Sequence, residues 1–406
     1  MEPNSDVDKK QDELTWLENL QRNSWEPEVI ISGIILAFLF AFPSKIYAFS
    51  AMLVQEVGMA FLGAMLVLLY LSAVISVFKI FFVVHLVLRF IWAGLLGLSY
   101  AFPKGVIKEN LFKISRDYNY RKPADMVLEM ERTCSMTFAY PISLVFVILV
   151  FTTYLGILLF LYVILDVNFF IIYLTFMLSV IGFYLLMILG KKSRIKERYG
   201  GSIMASVSAV YQSNMGKWFS IWYGFGIFVL STPLIYSDVR DFSLFFNETN
   251  LLENELKWPS KDLSYMEYHD ESRRYPRVFL ASEFVDGDLL RLSIARYQGD
   301  EKFIEDLKSN FKTELDSLNW HKLEDTPDIY RFIVNDEVLE AGPWRRNRIN
   351  VTDQKVFETV IPIGHLPAGT FTLKVEKLMV NYNLFSNKPE EIRLRKQWDE
   401  IDFIKK

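Results

Sequence analysis

The chain has 406 residues and a formal net charge of −4. Without a positive excess it is not expected to bind nucleic acid, and its single cysteine, Cys134, excludes both an intramolecular disulfide and a cysteine-based zinc site. Hydrophobic residues make up 51% of the chain, and they are concentrated in the first 236 residues. The sequence therefore predicts an integral membrane protein.

The first 28 residues are predicted to form a polar tail and then an amphipathic helix at the membrane surface. Asp12–Trp25 carries its leucines and Trp16 toward one side, and Pro27 ends the helix because proline supplies no N–H. Acidic residues stand where a secretory signal peptide has positive charge. We therefore expect the first hydrophobic segment to stay in the protein as an anchor.

Five hydrophobic segments follow, and together they predict a transmembrane helical bundle over residues 29–236. Each is long enough to cross a bilayer, which takes about 20 residues of helix. The predicted spans are Val29–Ser50, Gly58–Phe78, Phe138–Leu165, Asn168–Gly190 and Lys217–Tyr236.

The second segment leaves an alternative open. The chain is apolar from Gly58 to Phe102 except for Lys79, His85 and Arg89, which is long enough for two spans. Ser76–Ile80, near its middle, contains no Gly, Pro, Asn or Asp, the residues typical of a turn. We expect one spanning helix that continues along or beyond the cytoplasmic surface; a tight hairpin there would give six spans.

Basic residues predict the orientation. Lys191–Arg198 and the loop between residues 104 and 132 carry the positive charges that favour the cytoplasmic side. The last span then delivers the C-terminal part to the outside, and the N-terminus lies inside with five spans or outside with six. We expect the protein in the cytoplasmic membrane of a bacterium.

Residues 237–406 are predicted to form a soluble extracytoplasmic domain, since they hold 32 acidic and 25 basic residues. Apolar and polar residues alternate in Leu290–Ala295, Tyr330–Val334 and Phe371–Glu376, as in half-buried strands. Asp300–Leu318 has helical spacing instead. The fold class is thus an α+β membrane protein, and its β-rich domain is expected to be an immunoglobulin-like sandwich with a helical insertion.

Three ionisable residues interrupt the membrane region: Lys79, His85 and Arg89. Charges in hydrocarbon are costly, so such residues often mark a conduction path, a lipid contact or a subunit interface. The simpler interpretation places them at the cytoplasmic surface, where the cations meet lipid phosphates. The sequence favours the simpler interpretation, because the other predicted spans supply no acidic partner.

A second group of cations lies in the outer domain. This candidate binding loop combines an aromatic ring with three positive charges: Trp344, Arg345, Arg346 and Arg348. Such a group could bind an anionic glycan, a lipid headgroup or a protein partner. Solvated arginines in a loop at the end of a strand are the more common outcome for such a pattern.

No motif specific to a reaction is present. The histidines lack metal-ligand spacing, and neither a phosphate-binding loop nor a nucleophile elbow occurs. We therefore expect no catalytic residue, no metal and no cofactor.

Three classes of function remain. The sequence favours a membrane-anchored binding, sensing or assembly protein, because a β-rich module is often used for recognition. The alternative is a subunit of an oligomeric pore or transporter, and the third class is a membrane-embedded enzyme. The expected partners are the lipid bilayer and either a protein partner or further copies of the chain, not nucleic acid.

Overall fold

The computed structural model describes residues 25–165, 167–189, 198, 202–240, 261–269, 275–383 and 388–406. The predicted N-terminal tail and nearly all of its amphipathic helix lie outside the described residues, as does the basic segment 191–197. The described residues form a mixed helix and sheet protein with a β-rich C-terminal region.

The described residues of the N-terminal region form seven α-helices. Two short 3₁₀ turns, Lys108–Asn110 and Lys113–Ser115, lie in the connection after the third helix. The helices are α1 (Trp25–Ala41), α2 (Pro43–Gln55), α3 (Phe61–Ala101), α4 (Pro123–Leu165), α5 (Phe169–Leu189), α6 (Ile203–Met215) and α7 (Phe219–Arg240).

Two helices are long and apolar enough to cross a membrane among the described residues, α3 and Pro123–Tyr162 of α4. A third span results if α1 and α2, which bend by 42° at their junction, count as one. The prediction of five spans is therefore not supported. Among the described residues, the apolar run of α5 covers only Phe170–Leu186, and α7 is a continuous helix that contains Pro233 and several small polar residues.

Most of the region from Gly58 to Phe102 forms one continuous helix, Phe61–Ala101, rather than a hairpin. Helix α3 has 41 residues, so it is about 60 Å long, twice the roughly 30 Å of a bilayer's hydrocarbon core. The reason is the one the sequence indicated, since no residue typical of a turn interrupts the middle of α3.

The β-rich region contains two sheets. The four-stranded sheet has the order β1-β3-β7-β6, and the five-stranded sheet has the order β2-β9-β8-β4-β5, with every pair antiparallel except β2 and β9. The strands are β1 (Val278–Leu280), β2 (Phe284–Val285), β3 (Leu289–Ala295), β4 (Tyr330–Val334), β5 (Glu337–Leu339), β6 (Arg345–Arg348), β7 (Lys355–Pro362), β8 (Gly369–Tyr382) and β9 (Pro389–Lys405).

The three predicted strands are confirmed, and the predicted helix Asp300–Leu318 is helical but divided in two at Phe311. Phe371, Leu373 and Val375 in β8 are buried while Lys374 between them is exposed. The helix is present as α9 (Gln298–Asn310) and α10 (Lys312–Ser317), which follow the single turn α8 (Lys261–Ser264). Whether the two sheets form an immunoglobulin-like sandwich stays a prediction.

The chain divides into two compact units. The first contains the described residues of 1–42, 73–153 and 192–233, and the second those of 43–72, 154–191 and 234–406. The second unit thus combines the β-rich region with α2, α5, the start of α3 and the ends of α4 and α7. The predicted boundaries at residues 28 and 236 stay predictions.

Candidate functional site: a cavity lined by helix ends and the β-rich region

A cavity of about 1000 Å³ lies within the second unit. One side is formed by residues from Val54 to Leu66 and from Tyr162 to Tyr173, which we call the helix wall. The other side is formed by residues from Tyr297 to Glu305 and from Lys377 to Asn383, which we call the domain wall. The volume matches the upper end of small-molecule sites, which run from about 300 to 1000 Å³.

A tight turn between α2 and α3 shapes one part of the helix wall. Gly58 has φ of +73°, a left-handed conformation that suits glycine, and the Met59 amide closes the turn on the Leu53 carbonyl oxygen at 2.8 Å. A Cβ on Gly58 would lie 3.6 Å from Gln298 and from the Gly299 nitrogen. The turn therefore lies directly against the start of α9.

The start of α5 shapes the rest of the helix wall. Asn168 accepts a hydrogen bond from the Phe170 amide through its side-chain oxygen at 2.7 Å, which satisfies one of the free N–H groups at the helix start. Its side-chain nitrogen lies 3.5 Å from the carbonyl oxygen of Asn383 at the end of β8. Both walls therefore meet at Asn168.

Further contacts join the helix ends to the β-rich region. The Phe61 ring lies 5.6 Å from the ring of Tyr297, and the Arg277 guanidinium lies 5.9 Å from the centre of Phe61. Lys355 forms an ion pair with Glu56 at 2.8 Å. These contacts hold together the two walls of the cavity, which belong to one compact unit.

A buried ion pair lies in the domain wall. The Lys377 ammonium contacts both carboxylate oxygens of Asp300, at 2.8 and 2.9 Å, and the Tyr330 hydroxyl donates to Asp300 at 2.8 Å. Lys377 and Asp300 are each 3% exposed. Burial lowers the pKa of Lys377 and the neighbouring carboxylate opposes that change, while burial next to Asp300 raises the pKa of Tyr330 well above its usual value.

Aromatic rings surround the Lys377 ammonium. The ring centres of Tyr297, Tyr330 and Trp398 lie 5.1, 5.1 and 5.0 Å from it, and that of Phe303 lies at 6.0 Å. Each ring face attracts a cation through its quadrupole, so the rings partly replace the water lost on burial. The ion pair therefore fixes α9 against β8 behind the cavity.

Two charged side chains on α9 are exposed where they line the cavity. The Lys302 ammonium lies 5.3 Å from the ring centre of Tyr382, and Glu305 follows one turn later. The Tyr382 hydroxyl donates to Asp306 at 2.6 Å, and burial together with that carboxylate raises its pKa. Glu301 is paired with Arg296. The domain wall can therefore offer one cation and one anion to a ligand.

The arrangement of side chains around the cavity is suited to binding a ligand. The ion pair is sealed from solvent, the charges that face the cavity are held on one rigid helix, and the helix wall adds apolar surface. In the part of the chain that the structure describes, no group of three or more His, Cys, Asp or Glu residues could hold a metal ion.

No protein-family model matches the chain, and neither a curated protein nor a solved structure does.

The predicted membrane residues lie elsewhere, in the first unit. Lys79, near the middle of α3, and His85 and Arg89 in its second half are all buried. They are roughly 27, 36 and 42 Å along the helix from Phe61, so the last two lie farther from its start than a bilayer core of about 30 Å is thick. None of them lines the cavity.

Aromatic rings and a hydroxyl group contact these three side chains. His85 lies 3.0 Å from the Ser32 hydroxyl through Nδ1. The Lys79 ammonium lies 5.3 Å from the centre of the Phe40 ring, and the Arg89 guanidinium lies 5.5 Å from that of Trp92. The proposed roles of these residues in conduction, lipid contact or assembly stay predictions.

The predicted outer-domain cluster is divided by the structure. Trp344 lines a separate groove of about 460 Å³ together with Trp320 and Arg331, and its ring lies 6.0 Å from Phe332. Arg345, Arg346 and Arg348 instead form the exposed edge strand β6, and Arg348 pairs with Asp353 at 3.0 Å. The arginines do not line that groove.

Sequence reasoning missed the residues of the cavity. A signal for one of them was present, because the alternation of Phe371, Leu373 and Val375 continues to Lys377 and predicts it on the buried face. No comparable signal exists for Gly299, Asp300 or Lys302, which lie in a helix far from β8 in sequence.

Proposed function

We propose that this protein is a membrane-anchored binding protein that holds a ligand between its helix ends and its β-rich domain. The proposal rests on one observation: two different parts of the chain line the cavity, the ends of apolar helices on one side and the β-rich region on the other. Ligand sites commonly form where two structural layers meet.

The topology of the proposal follows from the sequence. Positive charge after α5 and in the loop between α3 and α4 favours the cytoplasm for those segments, so the β-rich domain lies on the outer side. The antiparallel pairing within both sheets supports an immunoglobulin-like sandwich, with α9 and α10 as its helical insertion.

A sensing role is a natural consequence of this arrangement. A ligand in the cavity contacts both α9 and the turn that begins α3, and α3 is one continuous helix of 41 residues. A ligand that prefers one position of this turn would shift the population of α3 conformations, in proportion to its difference in affinity for them.

The test is to identify what occupies the cavity by photo-crosslinking. Benzoylphenylalanine is introduced in place of Phe303, which lines the cavity, and in a separate variant in place of Ser309, which is exposed on the same helix outside it. After irradiation of intact membranes, we expect Phe303→benzoylphenylalanine to gain the mass of one discrete small molecule and the Ser309 variant to gain none.

Two results would contradict the proposal. If the Phe303 variant crosslinks only to residues of its own chain, the cavity holds no ligand. If it crosslinks to a neighbouring copy, the region is an assembly surface and the binding function is wrong.

A further inference from the structure

The two walls of the cavity differ in chemistry. Among the lining residues, the helix wall has no charged side chain and presents Leu62, Leu66 and Phe170. All five charged lining residues belong to the domain wall: Asp300, Glu301, Lys302, Glu305 and Lys377. A ligand that satisfies both walls needs an apolar part and a polar part.

The cavity also lies at the ends of apolar helices. Its helix wall includes the first residues of α3, a candidate membrane-spanning helix, and the first residues of the apolar helix α5. Because α3 is about twice as long as a bilayer core, we place the start of its span at these first residues, at the boundary between lipid tails and headgroups. A molecule that already resides at that boundary enters the cavity without crossing water.

Once the ion pairs within the protein are set aside, one positive and one negative side chain remain to contact a headgroup. Asp300 and Lys377 neutralise one another, and Glu301 is paired with Arg296. Lys302 and Glu305 remain, three residues apart on α9 and both exposed. Residues at this spacing lie on the same helix face, about 5–6 Å apart at their Cβ atoms.

We propose that the cavity binds a phospholipid with a zwitterionic headgroup. The acyl part packs on the helix wall, the phosphate faces Lys302 and the ammonium group faces Glu305. A net-anionic headgroup such as phosphatidylglycerol has no ammonium group to pair with Glu305, so it binds more weakly. This inference names the ligand class and therefore rests on the proposed binding function.

The experiment uses the full chain, stripped of lipid in detergent and reconstituted in nanodiscs of equal parts phosphatidylethanolamine and phosphatidylglycerol. Native mass spectrometry then counts the lipids that each variant retains after mild detergent extraction. We expect the unmodified protein to retain phosphatidylethanolamine about fivefold over phosphatidylglycerol, the size of one exposed charge contact.

The variants separate the two charges. Glu305→Gln removes the contact that only the ammonium group makes, so the fivefold preference should fall to about one. Lys302→Gln removes a contact to the phosphate that both lipids share, so retention of both should fall while the ratio persists. Glu314→Gln, on the exposed face of α10 and outside the cavity, is the matched control and should change neither.

The outcomes distinguish this inference from the binding function. Equal retention of the two lipids by the unmodified protein overturns the headgroup assignment. Retention of phosphatidylethanolamine that survives Gly299→Phe, which places an aromatic ring in the lining of the cavity, means that the lipid binds elsewhere. If the crosslinked adduct at position 303 has the mass of a water-soluble molecule, the binding function stands and the lipid inference is wrong.

Discussion

Two groups of cations in the β-rich region have opposite surroundings. Arg345, Arg346 and Arg348 lie on the edge strand β6 with their side chains in solvent. Lys377 lies in β8, inside the five-stranded sheet, 3% exposed and paired with Asp300. Both groups are positive charges in strands, but the sequence analysis predicted a candidate binding site only for the first group.

The difference shows that a cluster of charge is a poor guide to a site. Charged residues on an edge strand keep it from pairing with the edge of another sheet, which is sufficient reason for the arginines of β6. A buried lysine loses its hydration and needs a carboxylate and ring faces to replace it. The surroundings of Lys377 therefore indicate a specific structural role beside the cavity.

The largest expected effect comes from breaking the buried pair. Lys377→Met should lower the free energy of unfolding by about 3–5 kcal/mol, because Asp300 stays buried without its cation. The measurement is denaturant unfolding of the full chain in detergent micelles.

The double variant Asp300→Leu/Lys377→Met is the matched control. Since it removes both charges and fills the space with apolar groups, it should recover most of the loss. A double variant no more stable than Lys377→Met would show that the rings, not the missing ion pair, determine the cost.

The next effect concerns two neighbours in the same strand. Leu373→Ala should cost about 2–5 kcal/mol, because Leu373 is 0% exposed and its truncation leaves a cavity. Lys374→Ala, one residue along and exposed, should change the free energy of unfolding by less than about 0.5 kcal/mol. Similar losses in the two variants would mean that the two faces of β8 are assigned wrongly.

These strands show how much of the fold the sequence could predict. Period two located β3, β4 and the first half of β8, because the alternating large apolar residues of each strand are buried. The register of β8 against β9 shifts between Val375 and Lys377, so Glu376, Lys377 and Leu378 are consecutively buried. Such a bulge depends on the partner strand and has no reliable local signal.

The membrane region and the cavity were less predictable. Apolar runs identified helices, but not that α3 and α4 each exceed 40 residues or that the described spans number two or three. The cavity joins segments separated by more than 200 residues of chain, Val54–Leu66 and Tyr297–Glu305. Their proximity follows from tertiary packing, which local patterns do not specify.

A smaller effect should appear at alkaline pH. Burial, with the charges of Glu283 and Asp402, raises the pKa of Tyr265 to about 12. Above pH 10 an unfolded tyrosine loses its proton while the folded one keeps it, so stability falls as the pH rises from 10 toward 12. The raised pKa values of Tyr330 and Tyr382 act in the same direction, so the share of Tyr265 has to be isolated by a variant.

Tyr265→Phe isolates this contribution. At pH 7 the variant should lose about 1 kcal/mol, because the hydroxyl donates to the Asp402 carbonyl oxygen at 2.7 Å. Thermal unfolding at pH 9, 10 and 11 should then show the gap between the two proteins narrowing. A gap that stays constant would mean that Tyr265 has an ordinary pKa.

The smallest effect should come from the edge strand. Arg346→Ala should change the free energy of unfolding by less than about 0.5 kcal/mol, because the side chain is exposed. It should also leave the crosslinked adduct at position 303 unchanged. A loss of the adduct would mean that the arginines of β6 take part in ligand binding. Their role would then not differ from that of Lys377 in the way described above.

The most direct test of the binding site is to obstruct the cavity with a bulky side chain. Gly299 lines it, and a Cβ built there meets no atom within 4 Å, so Gly299→Phe projects a ring into open space. Ser309→Phe adds the same ring on the exposed side of α9. Native mass spectrometry of each protein, purified in mild detergent, should show a bound small molecule on the unmodified chain and on Ser309→Phe but not on Gly299→Phe. An equal amount of that molecule on all three, with equal thermal stability, would contradict the cavity as the ligand site.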